Sequence, residues 1–407
     1  MNAIRRSRGN ALRFSGPVAL AAVVGAVFWV NAGQLDPPPG AINPTGPTTI
    51  NGQGIVLPYT ISDSGSYILT SNIEAPSSHT GHGIVIDASD VTLDLNGFAL
   101  TLTGGEGGIN GIMVYGSHSN IAIKNGTVRA WNEVGVEAFS AGNSRFEDLR
   151  LSNNTVAGLR LNEGSTVTGC TASKNGIGMV VDGCTVTGCA FDLNTGIGIV
   201  ASGGSVVTDC VARANGQGGF SADGGTLISG CAASLNTGHG FVLSGIATIT
   251  DSTAMLNTGD GIHLVLDGIV FNCTARVNGG NGIFAFRGAT VSGCTVDGNT
   301  GDGIQVSDQC RVVGNHCVQN GRDEGDGAGI HTTSDFNYIE GNVVIGNDRG
   351  IDVDSTGSFI FKNSAMANTT NYDIAAINAF GPIVNIGGVG DISGTANADH
   401  PWANFEE

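Results

Sequence analysis

The chain has 407 residues, of which 66 are glycine, 10 are proline and only 6% are aromatic. Such a composition is typical of short strands and turns, and it contains too little proline for a disordered low-complexity chain. Acidic residues outnumber basic ones by 35 to 17, giving a net charge of −18, and this excludes nucleic acid and anionic lipid as partners on electrostatic grounds.

The N-terminus predicts an exported protein. Arginines at positions 5, 6, 8 and 13 precede an apolar run from Pro17 to Val30, which ends in small residues near Ala32. This order is typical of a secretory signal peptide, and the run is short for a membrane span. We therefore expect a signal peptide over residues 1–32 and no membrane span after its removal. The location would be secreted, periplasmic or extracellular.

Two short segments precede the regular part of the chain. Residues 33–50 are rich in glycine, proline and threonine, which predicts a linker. Residues 51–82 contain strand-like stretches at 59–61 and 66–69. We expect residues 51–82 to form an N-terminal cap, because the end of a stacked array exposes unpaired strand edges.

Asparagine recurs at a nearly fixed interval through the middle of the chain. Seven of the eight steps are 21 residues and one is 19, between Asn154, Asn175, Asn194, Asn215, Asn236, Asn257, Asn278, Asn299 and Asn320. The strands between these turns are short and rich in valine, isoleucine and threonine, which favours β structure, and the fixed period predicts stacked copies of one unit. We predict an all-β parallel β-helix, a solenoid of about thirteen coils over residues 83–370, followed by a C-terminal cap or tail at 371–407.

The repeat also predicts two columns of buried side chains. The asparagines should form a ladder, because a single buried amide would be costly whereas stacked amides bond to one another. Five residues before the ladder runs a cysteine column, formed by Cys170, Cys189, Cys210, Cys231, Cys273 and Cys294. We expect buried free thiols there, rather than disulfides, metal ligands or nucleophiles, because stacked side chains run parallel instead of facing one another.

Two segments resemble a known family. Residues 91–98 read Val-Thr-Leu-Asp-Leu-Asn-Gly-Phe, and residues 120–129 read Asn-Ile-Ala-Ile-Lys-Asn-Gly-Thr-Val-Arg. They are similar to the opening of exported bacterial right-handed parallel β-helix repeat proteins of the pectate-lyase-like superfamily, and the resemblance covers roughly residues 50–370. The superfamily includes polysaccharide lyases, hydrolases and uronate epimerases. The resemblance implies a right-handed helix and a polysaccharide partner, but no catalytic set of these enzymes transfers to the chain.

Candidate binding residues lie where the repeat loses its regularity. The second residue after the glycine that opens each unit should face solvent, and toward the C-terminus this outward column becomes polar and aromatic. Its last five members are His263, Phe284, Gln305, His331 and Asp352. A second column, just before these strands, contains His239, Asp260, Asn281 and Asp302. From Gly303 to Gly329 the chain is five residues longer than the repeat, and insertions in solenoids often form binding loops.

These observations predict a binding groove along the first strand face near residues 302–352. Its predicted binding residues are His263, Asp302, Gln305, Asp323, Glu324, Asp326, His331 and Asp352. The carboxylates could also hold Ca²⁺ through oxygen ligands. The competing interpretation is that these residues are solvated turns, where aspartate and asparagine are common. No metal ligand and no catalytic residue can be named from spacing alone.

Three functions of different classes remain open at this point. The sequence favours an exported β-helix that binds polysaccharide or is structural, at the cell envelope or outside the cell. The alternative is a polysaccharide lyase, epimerase or hydrolase, which needs an acid and a base in one cleft near residues 302–352. A metal-delivery protein, similar to periplasmic β-helix proteins of copper-enzyme maturation, is the weakest option because the cysteines are expected to be buried.

Overall fold

A computed structural model describes residues 46–407, except 105, 106, 108, 163, 322–326 and 389. Residues Gly46–Glu407 form one compact unit. Its strands pair in parallel with the equivalent strands of the preceding and following coils. The predicted signal peptide and most of the predicted linker lie outside the described residues.

Each coil contributes strands to three faces of the helix. Face 1 is a sheet of fifteen strands. Its strands are Tyr59–Ile61, Ile84–Ile86, Ile112–Val114, Val134–Ala138, Ala157–Leu161, Ile177–Asp182, Ile197–Ser202, Gly218–Ala222, Phe241–Leu243, Ile262–Leu264, Ile283–Arg287, Ile304–Asp308, Ala328–Thr332, Arg349–Val353 and Thr370–Ile374.

Faces 2 and 3 are joined into one sheet by two long strands, Ala122–Arg129 and Arg145–Ser152, that belong to both. The other strands of face 2 are Thr48–Ile50, Gly65–Leu69, Val91–Asp94, Thr166–Thr168, Thr185–Thr187, Val206–Thr208, Leu227–Ser229, Thr248–Thr250, Ile269–Phe271, Thr290–Ser292, Arg311–Val313, Tyr338–Glu340, Phe359–Phe361 and Ala379–Phe380. The other strands of face 3 are Ile73–Ala75, Ala99–Leu102, Thr171–Ser173, Ala190–Asp192, Val211–Arg213, Ala232–Ser234, Thr253–Met255, Thr274–Arg276, Thr295–Asp297, His316–Val318, Val343–Ile345, Ser364–Met366, Ile383–Asn385 and Asn404–Glu406.

The predicted all-β solenoid is confirmed, with more coils than the sequence indicated. About thirteen coils were predicted, whereas face 1 has fifteen strands among the described residues. The two additional strands, Tyr59–Ile61 and Thr370–Ile374, pair with their neighbours but lack the opening glycine of the repeat. The 3₁₀ turn Ile392–Gly394 is the one helix in the described part of the chain. No described helix has the length and apolar character to cross a membrane.

Alternation along each short strand places one row of side chains in the core and the next outside. Ile262 and Leu264 are fully buried, and His263 between them points outward. The register pairs Val242 with His263, and His263 with Phe284. Equivalent residues therefore stack coil upon coil, inside and outside.

The asparagine ladder is present and fully hydrogen-bonded. The Nδ2 of Asn257 donates to the Oδ1 of Asn278 at 3.0 Å and to the carbonyl of Ala233 at 3.1 Å. The ladder also continues from Asn320 to Asn347, across a step of 27 residues. A search at a fixed 21-residue step misses this continuation, because the insertion lengthens that coil.

Glycine opens the repeated strands of face 1 because the backbone passes close to the ladder. A Cβ on Gly240 would lie 2.6 Å from the carbonyl oxygen of Gly261 and 2.8 Å from the Nδ2 of Asn257. Both distances are too short for a side chain. The glycine column and the asparagine ladder are therefore two halves of one packing arrangement.

All nine cysteines are buried and free. In the turn between faces 2 and 3, the Sγ of Cys231 accepts the N–H of Cys210 at 3.4 Å. In the next coil Ser252 Oγ accepts the N–H of Cys231 at 3.1 Å. Further along the same column, Asn315 Oδ1 accepts the N–H of Cys294 at 2.9 Å. Sulfur thus occupies an acceptor position that serine and asparagine fill in other coils.

Candidate functional site

The outward column predicted from the sequence forms one continuous row on face 1. The register pairs run His263 to Phe284, Phe284 to Gln305, Gln305 to His331 and His331 to Asp352. Asp302 lies in the turn that precedes this face and is buried. The remaining predicted binding residues, Asp323, Glu324 and Asp326, lie outside the described residues.

A second ladder, formed by turn side chains, supports the edge of this row. His239 Nδ1 accepts the N–H of Asp260 at 2.9 Å, and Asp260 Oδ1 accepts the N–H of Asn281 at 2.7 Å. Asn281 Oδ1 then accepts the N–H of Asp302 at 2.8 Å, and Asp302 Oδ1 accepts that of Ala328 at 2.7 Å. Each of the two aspartates uses one carboxylate oxygen in this ladder. Its other carboxylate oxygen lies within hydrogen-bond distance of a histidine of face 1.

His263 is held by a carboxylate and by two rings. Its Nδ1 lies 2.7 Å from Asp260 Oδ2, and since a carboxylate only accepts, this nitrogen carries the proton. The ring stacks on Phe284 with centroids 4.7 Å apart and planes at 18°, and on His239 with centroids 4.6 Å apart. Burial lowers the pKa of His239. The three rings form a rigid row, and the His263 side chain remains 26% exposed.

Gln305 continues the row with an oriented amide. The Nδ2 of Asn281 donates to Gln305 Oε1 at 2.9 Å. This bond engages the amide oxygen of Gln305 and leaves its Nε2 group to act as a donor. Gln305 is half-buried and lies on the outward side of face 1.

His331 lies between two carboxylates. Its Nδ1 is 2.9 Å from Asp302 Oδ2 and its Nε2 is 3.1 Å from Asp354 Oδ2. Carboxylates only accept, so both ring nitrogens donate and the imidazole is positively charged. Burial lowers the pKa of His331, but the hydrogen bond and charge of Asp302, together with Asp354 and Asp352, outweigh it and raise the pKa to about 9.

Asp352 is more enclosed than the sequence suggested. We expected a solvent-facing side chain, but the residue is 1% exposed, and Arg349 Nη1 donates to its Oδ2 at 2.8 Å. Burial raises the pKa of Asp352. The Arg349 Nε also lies 3.4 Å from Asp373 Oδ2. Asp352 therefore anchors Arg349 at the end of the row.

Sequence reasoning omitted Asp354, Arg349 and Asp373 from the predicted set. Asp354 follows Asp352 by two residues, so strand alternation alone would have placed it on the same outward side. Arg349 and Asp373 meet across neighbouring coils. Finding that pair needs the exact register, which the irregular coils around the insertion obscure.

Two groups of described side chains could hold a metal ion. They are His239 with Asp260 and His263, and His331 with Asp352 and Asp354, each with ligand atoms within 4.8 Å of one another. Imidazole nitrogen suits Zn²⁺ or Cu²⁺ better than Ca²⁺, which takes oxygen ligands. A histidine binds a metal ion through one ring nitrogen, so an ion would compete with the His263–Asp260 hydrogen bond in the first group and with the His331–Asp354 hydrogen bond in the second. The geometry is that of a hydrogen-bonded network.

Comparison with known proteins identifies the architecture. A family model described as right handed beta helix region matches residues 60–225, 166–291 and 272–366. No curated protein matches the sequence significantly.

Solved structures similar to the chain share little sequence with it. The A-module of the mannuronan C-5 epimerase AlgE4 of Azotobacter vinelandii is 15% identical with a TM-score of 0.47, covering 72% of this chain and 87% of that one. A variant of the periplasmic alginate epimerase AlgG is 12% identical with a TM-score of 0.45, over 76% and 83%. The catalytic domain of a GH87 alpha-1,3-glucanase is 12% identical with a TM-score of 0.46, over 79% and 70%. Identities this low leave the activity of the chain unassigned.

Proposed function

This chain belongs to the family of right-handed β-helix proteins, and we propose that its face 1 binds a neutral polysaccharide along the row from His263 to His331. The observation that carries the proposal is the repetition of oriented polar side chains. The Asp260–His263 bond of 2.7 Å and the Asn281–Gln305 bond of 2.9 Å fix an imidazole and an amide two coils apart. Fixed side chains bind a ligand without paying the entropy of ordering them.

A polymer suits such a row better than a small molecule does. Adjacent coils repeat every ~4.8 Å, so the helix offers donors at regular intervals along one line. A sugar chain offers hydroxyl groups at regular intervals in the same way. The stacked His239, His263 and Phe284 present ring edges to the ligand, and hydrogen bonding by His263 and Gln305 supplies the specificity.

The charge of the site favours a neutral chain. Four carboxylates beside the row outnumber the positively charged His331 and Arg349, and the whole protein carries a net charge of −18; the four are Asp260, Asp302, Asp354 and Asp373. A polyuronate would be repelled by this field. A neutral glycan meets no such penalty.

Titration calorimetry with neutral and uronate oligosaccharides tests the proposal. Gln305→Ala removes a hydrogen-bonding group and Phe284→Ala removes the ring that supports His263, so each should weaken binding of a neutral oligosaccharide by about tenfold. Ser221→Ala is the matched control, because Ser221 belongs to the same outward row further toward the N-terminus. If all three variants bound the neutral oligosaccharide with the same affinity, face 1 would not be the binding surface.

The second candidate function is hydrolysis of the bound glycan at His331. The Asp302–His331–Asp354 chain favours it, because an imidazolium can donate a proton to a leaving oxygen while a nearby carboxylate activates water. The positive charge of His331 disfavours a lyase or epimerase that uses this residue as its base, because a protonated imidazole cannot accept another proton. Reducing ends released from a neutral polysaccharide by the wild type, and lost in His331→Gln, would support hydrolysis. Binding without product would leave face 1 as a binding surface only.

Export of the protein is also part of the proposal. Residues 1–32 have the charge and apolar pattern of a signal peptide, and polysaccharides are accessible outside the cytoplasm. N-terminal sequencing of the protein secreted by a bacterial host should begin at Gly33. An intact N-terminus in the cytoplasmic fraction would contradict export by this route.

A further inference from the structure

An aromatic cluster lies at the C-terminal end of face 2 and is not part of the binding row proposed on face 1. Trp402 is 51% exposed, and Phe359 and Phe380 are 51% and 50% exposed. The buried Phe361 ring meets the indole with centroids 4.9 Å apart and planes at 61°. Tyr338 in turn packs edge-on against Phe361, with centroids 5.0 Å apart.

Trp402 lines two neighbouring surface hollows, together with Phe359 and Phe361. One has a volume of about 430 Å³ and is lined by Phe359, Phe380 and Trp402, among others. The second has a volume of about 540 Å³ and is lined by Tyr338, Glu340, Lys362 and Trp402, among others. Both volumes fall in the range of small-ligand sites, which are mostly apolar with a few placed polar groups.

The indole is held in place by the fold. Two residues after it, Asn404 accepts from Asn363 Nδ2 at 3.1 Å and so joins a buried asparagine ladder. The strand Asn404–Glu406 pairs in parallel with Ser364–Met366 and with Ile383–Asn385. Trp402 is therefore presented from an anchored segment, and a ligand that stacks on it need not order a loose tail.

The second hollow has a polar rim that offers an acceptor beside a donor. Glu340 accepts from Lys362 Nζ at 2.7 Å and from the Tyr338 hydroxyl at 2.8 Å. A carboxylate accepts further hydrogen bonds and an ammonium donates them, so the pair matches the neighbouring hydroxyl groups of a sugar.

We propose that the hollows beside Trp402 form a second saccharide site, in which the apolar face of a neutral sugar ring stacks on the indole and its hydroxyl groups bond to Glu340 and Lys362. The site lies on face 2 and is independent of the row proposed on face 1. Its occupant belongs to the same class of ligand, a neutral saccharide, but contact is made through a ring face instead of ring edges.

Intrinsic fluorescence of the protein tests the second site. The chain has three tryptophans. Trp29 belongs to the predicted signal peptide and Trp131 is fully buried, so in the protein without residues 1–32 an added ligand should act mainly on the exposed Trp402. Titration with maltohexaose, cellohexaose and laminarihexaose should shift the emission to the blue for at least one sugar. Trp402→Phe should abolish that shift.

Affinity measured by calorimetry with the same sugar completes the test. Trp402→Ala should weaken binding at this site by about tenfold, and Glu340→Gln, which keeps the size of the side chain, should weaken it as well. Phe271→Ala is the matched control, since Phe271 is 49% exposed in the same outward column of face 2. Phe284→Ala on face 1 should leave the Trp402 response unchanged, which separates this inference from the proposed function.

Three results would overturn the second site. One is the absence of any fluorescence response to the three sugars. Another is unchanged affinity in both Trp402→Ala and Glu340→Gln. The third is concentration-dependent dimerisation that Trp402→Ala abolishes, because the cluster would then be an interface between two copies of the chain.

Discussion

The Asn257 side chain connects three coils. Its Oδ1 accepts from Asn236 Nδ2 at 2.9 Å, and its Nδ2 donates to Asn278 at 3.0 Å. At the surface of face 1, single side chains have a comparable role, because Asp260 and Asp302 each join a backbone N–H to a histidine. The asparagine period, which is the strongest signal in the sequence, therefore reflects the scaffold. Hydrogen bonds of the same kind orient the side chains of the candidate site.

Replacing Asn257 with Ala should reduce the free energy of unfolding by about 1–3 kcal/mol, because it leaves the buried backbone N–H of Asn236 without an acceptor and removes one of the two hydrogen bonds of the Asn236 Nδ2. Thr253→Ala, an exposed change in the same coil, serves as the control and should have little effect. Urea unfolding of both variants measures the difference. Equal stabilities would contradict a buried, bonded ladder.

His331 should make stability depend on pH. Its pKa rises from 6.5 to about 9 on folding, so its contribution is fully present below about pH 6.5 and is lost as the pH rises through 9. At about 1.4 kcal/mol per pKa unit, we expect a loss of about 3 kcal/mol across that interval. Urea unfolding from about pH 6 to about pH 10 should show this loss in the wild type and a smaller one in His331→Gln. If the free energy of unfolding fell equally with pH in both proteins, a charged His331 imidazole would not be the cause of the loss.

At the scale of the element, one coil consists of three short strands joined by turns. In these turns, stacked side chains accept hydrogen bonds from the backbone of the neighbouring coil. The cysteine column illustrates the rule, because Cys231, Ser252 and Asn315 accept the same backbone bond in different coils. Burial makes most of these sulfurs poor nucleophiles, and Cys170 differs because a hydrogen bond with Cys189 lowers its pKa. Burial raises the pKa of Cys273 to about 12 and that of Cys294 to about 11.

The nine thiols should therefore resist modification in the folded protein. An aromatic disulfide reagent should label none of them in native buffer and all nine in denaturant, since reactivity requires an exposed thiolate. Thr253→Cys adds an exposed thiol in the same region and should react once without denaturant. Rapid labelling of the wild type would show that the column is open to solvent.

Part of the candidate site could be predicted from the sequence, and part of it could not. Alternation within a strand and the 21-residue period placed His263, Gln305 and His331 in one row, and the structure has that row. The periodic pattern did not reveal that His331 bonds to Asp302 of the preceding coil. That contact depends on side-chain reach across coils, which periodicity does not encode.

At the scale of the whole molecule, the repeat made the fold predictable and the ends less so. The parallel β-helix follows from a period that persists over many coils, whereas the first and last strands of face 1 lack the repeated glycine. The Trp402 cluster was not predicted, because it arises when the tail returns to pair with Ser364–Met366. Contacts made by a tail that folds back carry no periodic signal.

The central claim is that face 1 binds a neutral polysaccharide, and a crystal structure with a bound neutral oligosaccharide tests it most directly. The account predicts sugar density along the row from His263 to His331, with hydrogen bonds to His263 and Gln305. Sugar bound only beside Trp402 would support the second site and contradict face 1. A crystal soaked at saturating sugar with no density on face 1 would contradict the central claim.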